Sequence, residues 1–474
     1  MSPSVARAVY AAVIFTLFAL DRDPRIRSSK ALWLPVIWFC IIGSRPVSIW
    51  LGMGPVRADS ASQLAEGSPF DAGVLGALLV AGIVVLNSRR NRTSATLKAS
   101  WPIVIYFAYC LLSVLWSDFP DIAFKRWIKA IGDLVMVLVL VTDTEPVTAL
   151  ERLFSRAGFI LIPTSVLLSK YFEALGRGYD PVGNPVNTGV TTNKNILGVI
   201  TMVISLGALW SFLNVLRAKR EPIRVRQLLA RGTLLAFGVA VLVMADSATS
   251  ISCFFLGTVL ILGTSLPPIR RRPGRVHALV GMVLLAAGFV MLFGGEAGVV
   301  HALGRQTNLT GRTDIWAAVL AVVPSPIVGA GFESFWLGPR VETVWRGLGQ
   351  YMHVNEAHNG YIEVYLNLGW VGVGLIAIIL ISSYRNAVAA FRRHATYGSL
   401  MLAYVAAAAI YSISEAGFRS LHPMWFFLLL AVLGSHQIAS RISGGKGQHL
   451  IDHARPATKP AASHALAPAK SATY

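Results

Sequence analysis

The chain has 474 residues, of which 54% are hydrophobic and 14% charged, and a formal net charge of +19. A soluble core of this length cannot bury that much apolar surface, so a soluble globular protein is excluded. The positive charge raises nucleic acid as a partner, but no compact basic domain with interleaved aromatic platforms exists, and no nucleic-acid partner is expected.

The apolar residues fall in separate stretches of roughly twenty, the length a helix needs to cross about 30 Å of hydrocarbon. Each is bounded by charged residues, Gly or Pro, and the alternating ten-residue pattern of a membrane β-barrel is absent. The fold class that follows is all-α, a polytopic membrane protein of about 12–13 spans with one long external loop. The first run, Val9 to Leu20, leads straight into Asp21-Arg22-Asp23 with no small-residue cleavage site, so it reads as a short retained span and not a signal peptide. The predicted spans cover 8–20, 31–50, 71–88, 100–117, 127–143, 157–171, 196–216, 232–246, 249–267, 277–295, 360–384, 399–414 and 423–438. Cys40, Cys110 and Cys253 lie inside these runs, away from any disulfide or metal spacing, and read as small buried hydrophobes.

Charge sets the topology. The basic clusters Arg22-Arg25-Arg27-Lys30, Arg89-Arg90-Arg92-Lys98, Arg217 to Arg231, Arg270-Arg271-Arg272-Arg275 and Arg385-Arg392-Arg393 fall between apolar runs at intervals of two or four spans. The positive-inside rule puts all of them in the cytoplasm. The connections 51–70, 118–126, 172–195, 296–359 and 415–422 then face outward. Residues 1–438 form one membrane domain containing the outer loop 296–359, and the Ala-, Pro-, Lys- and His-rich stretch 439–474 reads as a disordered cytoplasmic tail.

The chemistry-bearing residues gather on the outer side. "WSDFPDIAFKRWIKAIGDL" puts Lys125 and Arg126 at the mouth of a span, with Asp133 about two turns deeper. "TTNKNILG" supplies Lys194 and Asn195, "MADSATSIS" turns around Asp246, and the last outer connection carries Glu415, Arg419 and His422. The long loop holds "LTGRTDIW" with Arg312, then "PIVGAGFESFW", Arg340 and Arg346, and closes on Glu356, His358 and Asn359. Asn359 is placed to cap the next helix, whose first backbone N–H groups would make an anion-friendly spot beside His358. Tyr361 and Tyr365 follow His358 at spacings that would share its helix face and could floor a sugar ring, although interfacial aromatics fit the same positions. "GWVGVG" reads as close helix packing, since no strand precedes it.

An outward cavity lined by cations with one imidazole suits a phosphate or diphosphate leaving group. Arginine forks meet phosphate oxygens with paired hydrogen bonds, and histidine can take a proton near neutral pH. Outside the cell no ATP is at hand, so the donor must arrive activated and lipid-linked, as a glycan on a polyprenyl diphosphate does. No tight His, Asp or Glu cluster is visible on the outer side, so neither a metal nor another cofactor is expected.

These motifs resemble the O-antigen ligases and Wzy-type polysaccharide polymerases of bacterial envelopes, from Trp116 to Trp370, most specifically in "HNGYIEVYLNLGWVGVG". The resemblance implies a metal-independent, lipid-diphosphosugar-dependent glycosyltransferase of the bacterial cytoplasmic membrane with its site facing the periplasm. It implies that His358 activates the acceptor and that Arg312 holds the donor diphosphate, with Arg126 matching the arginine after the Trp-Ser motif. Lys194 and Asn195 match an Asn-Lys-Asn element. The implied site adds Lys194 to the diphosphate contacts, and Asn195, Asn359, Tyr361 and Tyr365 to the substrate contacts. "DSATS" departs from the relatives at Asp246 and Ala248, which weakens any donor contact there. Implied partners are a polyprenyl-diphosphate-linked glycan, an acceptor glycan or glycolipid, the bilayer, and polysaccharide export and chain-length proteins. Polymerisation of exopolysaccharide or O-antigen repeat units is favoured, with ligation to lipid A core as the alternative within the family. A transporter or flippase of lipid-linked oligosaccharide is the alternative from another class, and no internal repeat of spans supports it. A glycoside hydrolase would want two carboxylates across a sugar, where this pattern offers an imidazole and arginines.

Overall fold

The computed structural model describes residues 2–23, 29–53, 68–179, 183–218, 222–293, 310–349 and 354–443. The expected tail beyond 443, the first part of the outer loop (296–309) and most of 51–70 lie outside the described residues. Helices make up nearly all of what is described; the two strands, Arg177–Tyr179 and Pro185–Asn187, form a short antiparallel hairpin that pairs Gly178 with Val186.

The protein is a polytopic all-α membrane protein. Eight described helices are long and apolar enough to cross a bilayer, nine if Arg90–Ala99 and Trp101–Trp116, bent by 87°, count as one broken span. Lys30–Ile42, Arg275–Phe289 and Pro423–His436 are shorter apolar helices. Pro120–Val141 has the length of a span but carries Asp121, Lys125, Arg126, Lys129 and Asp133 along its outer half. The span expected over 31–50 is not continuous: the helix stops at Ile42 and a separate turn, Val47–Trp50, follows Pro46. The span expected over 157–171 starts earlier, in a helix Pro146–Tyr171 opened by Pro at its first turn.

The helices differ in what surrounds them. In Ala395–Ser414, 83% of the apolar window is buried, against 11% in Pro3–Asp21, so the first is core and the second faces lipid. At the centre Tyr404 meets Phe427 at 4.7 Å, and Phe154 stacks on Phe427 at 5.7 Å. The polar ends of this aromatic cluster are satisfied: the Tyr404 hydroxyl donates to the Val203 carbonyl at 2.9 Å, and Trp210 Nε1 donates to Thr396 O at 2.7 Å. Small residues bring the backbones together, since a Cβ at Gly207 would lie 2.4 Å from the Phe154 ring.

Opposite ends of the bundle carry different chemistry. At one end, residues from two of the five basic clusters hold acids: Arg89 pairs with Asp143 at 3.0 Å, and Arg231 with both Asp21 (3.3 Å) and Glu151 (3.1 Å). At the other end, Arg340 pairs with Asp118, Asp133 accepts the Leu421 N–H, and the connection 415–422 meets the loop before Gly360. Helices Lys194–Arg217, Gly360–Arg393 and Ala395–Ser414 each run from one end to the other.

The helix Gly360–Arg393 is broken at Gly369, whose φ is +62°. The outer-loop segment "PIVGAGF" lies against the break: Trp370 N donates to Pro326 O, Val371 N to Ile327 O, Ala330 N to Leu366 O and Gly331 N to Asn367 O. The freed carbonyls and amides of the interrupted helix are thereby paired within the protein, as a break at membrane depth requires. Gly329, Gly331 and Gly369 all have positive φ, and a Cβ on Gly369 would sit 2.1 Å from the Ile327 carbonyl oxygen. Gly369→Ala should therefore undo the docking of 326–331 and destabilise the protein by at least about 2 kcal/mol, seen as a lower unfolding temperature in detergent. Gly374→Ala, where the added carbon meets nothing within 4 Å, should be neutral by the same measurement.

Candidate active site

The site is built where the closing residues of the outer loop meet the connection 415–422. Asn359 caps the helix, its Oδ1 accepting from Tyr361 N (2.9 Å) and Ile362 N (3.1 Å), and its Nδ2 donates to Ile413 O at 3.0 Å. His358, two residues before the helix, has φ +48°. It is therefore outside the helical phase, and its ring is aimed by its own left-handed backbone, not by the three-, four- and seven-residue spacing to Tyr361, Ile362 and Tyr365.

His358 Nδ1 lies 3.0 Å from Glu356 Oε1 and 3.5 Å from Glu415 Oε2. Arg312 reaches the same Glu415, Nη2 to Oε1 at 3.2 Å, while its Nη1 donates to Ser414 O at 2.6 Å. Asn195 Nδ2 donates to both Glu415 oxygens, at 3.2 and 3.3 Å. Arg419 completes the set by pairing with Glu356 at 3.0 Å. Three candidates from distant parts of the chain, Asn195, Arg312 and His358, thus converge on one carboxylate. Glu415 caps the C-terminus of Ala395–Ser414, where the helix dipole is unfavourable to an anion, and the surrounding cations offset this.

The electrostatics follow from that geometry. Burial alone would lower the basicity of His358, but hydrogen bonds and charge from Glu356 and Glu415 raise it from 6.5 to about 10, so the resting side chain is an imidazolium. Burial would raise Glu356, yet His358, Arg419 and His422 hold it down at about 2. His422 is pushed the other way, to about 4, chiefly by burial, and stays neutral. A neutral base at physiological pH is what the residue type suggests for His358; the two carboxylates make it a cation instead.

Other candidates stand apart from this cluster. Arg126 is buried and donates to the Glu333 carbonyl; Glu333 Oε1 in turn accepts from Ser420 N (2.8 Å) and Ser420 Oγ (2.7 Å), so Arg126 braces the 415–422 connection from behind. Lys194 opens the helix beside Asn195, half-buried. The Tyr361 hydroxyl donates to Ala409 O at 3.0 Å and its ring packs edge-on against Phe418, so it joins two helices. Tyr365 packs against Trp370 at 5.1 Å. Within the same motif, Glu363 and Asn367 seat the loop: Glu363 accepts from Trp336 Nε1 and Ala357 N, and Asn367 Oδ1 accepts from Phe335 N.

Glu356, Glu415 and Arg419 are the residues the sequence reading located on the outer face without assigning to the site. A carboxylate directly after a twenty-residue apolar helix needs a cation, and that signal was available for Glu415. The ligating atoms of Glu356, His358 and Glu415 lie within 4.8 Å of one another, a grouping that could hold a metal ion and that the sequence pattern does not reveal. Arg312 and Arg419 already occupy the same two carboxylates. Glu333, His358 and Leu421, with φ of +47°, +48° and +57°, are three of the four non-glycine residues with positive φ among those described, and all three surround this site.

Residues 232–377 match the family model for O-antigen ligase. That segment contains Arg312 and His358 with the loop between them. Over that segment the chain is similar to the O-antigen ligase family. The chain is also similar to the exopolysaccharide production protein ExoQ of Rhizobium meliloti (strain 1021), 25% identical over 294 residues, which is 60% of this chain and 64% of that protein. Glu415, the carboxylate that Arg312 and His358 share, lies outside the matched residues 232–377.

The raised His358 and lowered Glu356 values set a pH window. The His358 contribution to stability is complete below its ordinary 6.5 and lost as pH rises through about 10. The Glu356 contribution is present above its ordinary 4.5 and lost as pH falls through about 2. Both reflect the same ion pair and do not add. The unfolding temperature should fall from pH 6.5 to pH 10 in the wild type and fall less steeply in Glu356→Gln; identical slopes would remove the pair from the account.

Proposed function

We propose that this protein is a membrane glycosyltransferase that moves a glycan from a polyprenyl-diphosphate carrier to an acceptor sugar hydroxyl at the periplasmic face of the bacterial cytoplasmic membrane, polymerising exopolysaccharide or O-antigen repeat units. The observation that carries this reading is the meeting of Arg312 and His358 on the Glu415 carboxylate, at the end of the bundle opposite the basic clusters. The positive-inside rule makes that end periplasmic. The O-antigen ligase segment and the similarity to an exopolysaccharide production protein support the substrate class.

In this reaction the acceptor hydroxyl oxygen attacks the anomeric carbon, the bond from that carbon to the diphosphate oxygen breaks, and the carrier leaves with the electron pair. Arg312 stabilises the charge developing on the diphosphate, exchanging part of its hold on Glu415 for phosphate oxygens. The hydroxyl proton goes to His358 after the imidazolium has released its own. Glu356 and Glu415 lower the energy of the imidazolium, which is the species present once the acceptor has been deprotonated, so their interaction is strongest where the reaction needs it. The same carboxylates make the first deprotonation harder, and an anionic donor beside Arg312 does not relieve that. Turnover is therefore expected to rise with pH above neutrality. No step needs a metal or another cofactor.

Ligation is the second reading, and the family description itself favours it. Sizing cell glycans with and without the protein separates the two: loss of long chains with single units surviving means polymerase, and normal chains stranded on the carrier mean ligase.

His358→Ala should lower turnover by about a hundredfold or more while donor binding persists; retained transport of lipid-linked glycan by that variant would point to a flippase. Arg312→Lys should cost about tenfold or more in donor use, because a point charge does not reproduce the guanidinium fork; near-normal activity would remove the diphosphate contact. Chelator should leave the purified enzyme active, whereas loss of activity restored by a divalent ion would assign the Glu356, His358 and Glu415 grouping to a metal.

A further inference from the structure

The helix Thr310–Leu320 carries two side chains that reach the site from one face. Arg312 and Trp316 are four residues apart, which on an α-helix places them about 40° apart in direction and about 6 Å apart along the axis. Arg312 turns to Glu415 and to Ser414 O, whereas Trp316 Nε1 donates to the Ala357 carbonyl at 2.8 Å. Ala357 is fully buried, and side chains from other elements take both of its backbone polar groups. Trp316 takes the carbonyl; the N–H donates to Glu363 Oε1 at 2.5 Å, a carboxylate that also accepts from Trp336 Nε1. The carbonyl bears directly on His358, because the rotation that sets its φ of +48° is the one that swings the Ala357 carbonyl. The indole N–H therefore holds that angle from the N-terminal side, while the Asn359 cap holds the residue that follows. A non-glycine residue stays in the left-handed region only where its surroundings keep it there.

We propose that Trp316 is a positioning residue of this site: its indole N–H ties the helix that carries Arg312 to the backbone that aims His358, and so fixes both groups against their shared carboxylate, Glu415. Its effect on turnover rests on the glycosyltransferase reading; the tie itself does not. The tie accounts for the spacing within "GRTDIW", which sets the arginine and the tryptophan on one helix face. Packing alone does not call for the nitrogen. Ile315 and Val319 seat the helix in the same apolar cluster as Ala357 and Leu366, and a phenyl ring would fill much of the space of the indole. The N–H donor is thus separable from the bulk of the ring.

Two variants of the full chain in detergent divide the indole into its parts. Trp316→Phe keeps a six-membered ring and loses the donor; Trp316→His loses the bulk but keeps a five-membered ring whose Nε2–H falls close to the position of the indole N–H. Trp316→Phe should lower kcat about tenfold or more with donor KM close to wild type, since Arg312 keeps its own bonds to Ser414 and Glu415. Trp316→His should unfold at a lower temperature than Trp316→Phe and yet turn over faster. In a His358→Ala background Trp316→Phe should lower kcat no further, because the two residues act through one step. Hydrogen–deuterium exchange reads the tie without reference to any reaction: in Trp316→Phe the amides of 357–362 should exchange faster and those of 327–336 should not. Unchanged exchange at 357–362, a rise spread evenly over both segments, a Trp316→His variant slower than Trp316→Phe, or a further loss of equal size in the His358→Ala background would overturn the proposal. If Trp316→Phe does not fold, Trp316→His decides alone: slow exchange at 357–362 despite its lower unfolding temperature supports the tie, and fast exchange overturns it. Full activity of His358→Ala would overturn the glycosyltransferase reading, and faster exchange confined to 357–362 would still establish the tie.

Discussion

Glu415 ends an apolar helix with a carboxylate that the membrane and the helix dipole both disfavour, and its placement depends on what surrounds it. Arg312 from the outer loop, His358 from the segment before the broken helix and Asn195 from the start of another helix all turn toward it. A second carboxylate, Glu356, binds the other side of the histidine and is itself held by Arg419. The site is an alternating array of charges, and taking out any member leaves a partly buried charge without its counterpart. Such a deletion costs more than the pair contributes when intact.

The array can exist only because the outer loop is fixed. The loop does not cross over the bundle as a free strap: its 326–331 segment fills the break at Gly369, and its aromatic residues are pinned by Glu363 and Asn367 on the helix that follows His358. From the other side, Ser113 and Ser117 hold Phe332 and Ser334. Behind the 415–422 connection, Asp133 accepts from Leu421 N and Trp38 Nε1, and Glu333 accepts from Ser420. Motifs with the look of chemistry thus divide into two kinds. "GRTD" and "EAHN" supply the charged groups, whereas "VGAGFESFW", "YIEVYLN" and "WSD" supply the fixture that holds them.

The two ends of the protein use arginine differently. At the end that carries Glu415, Arg312 and Arg419 are bound to carboxylates, with which any incoming anion would have to compete. At the basic end, Arg231 is held between Asp21 and Glu151, and Arg89 is held by Asp143.

The sequence by itself determined the membrane class, the all-helical fold and the short stretches between spans from which the proposed site is drawn. These follow from local properties: the length of apolar runs, the position of Lys and Arg, and the capping chemistry of Asn359. It located Arg312, His358 and Asn195 but not the carboxylate that joins them, because residues 195, 312, 358 and 415 are brought together only by the packing of helices far apart in the chain. It took the residues around His358 to follow a helical phase, and the tertiary structure decided otherwise, since a left-handed backbone at His358 releases the ring from that phase toward Glu356 and Glu415. The tertiary structure alone also set the protonation of that ring, for a pKa depends on which charges lie within a few ångströms, and those distances are fixed by the assembled bundle and by no local stretch of sequence.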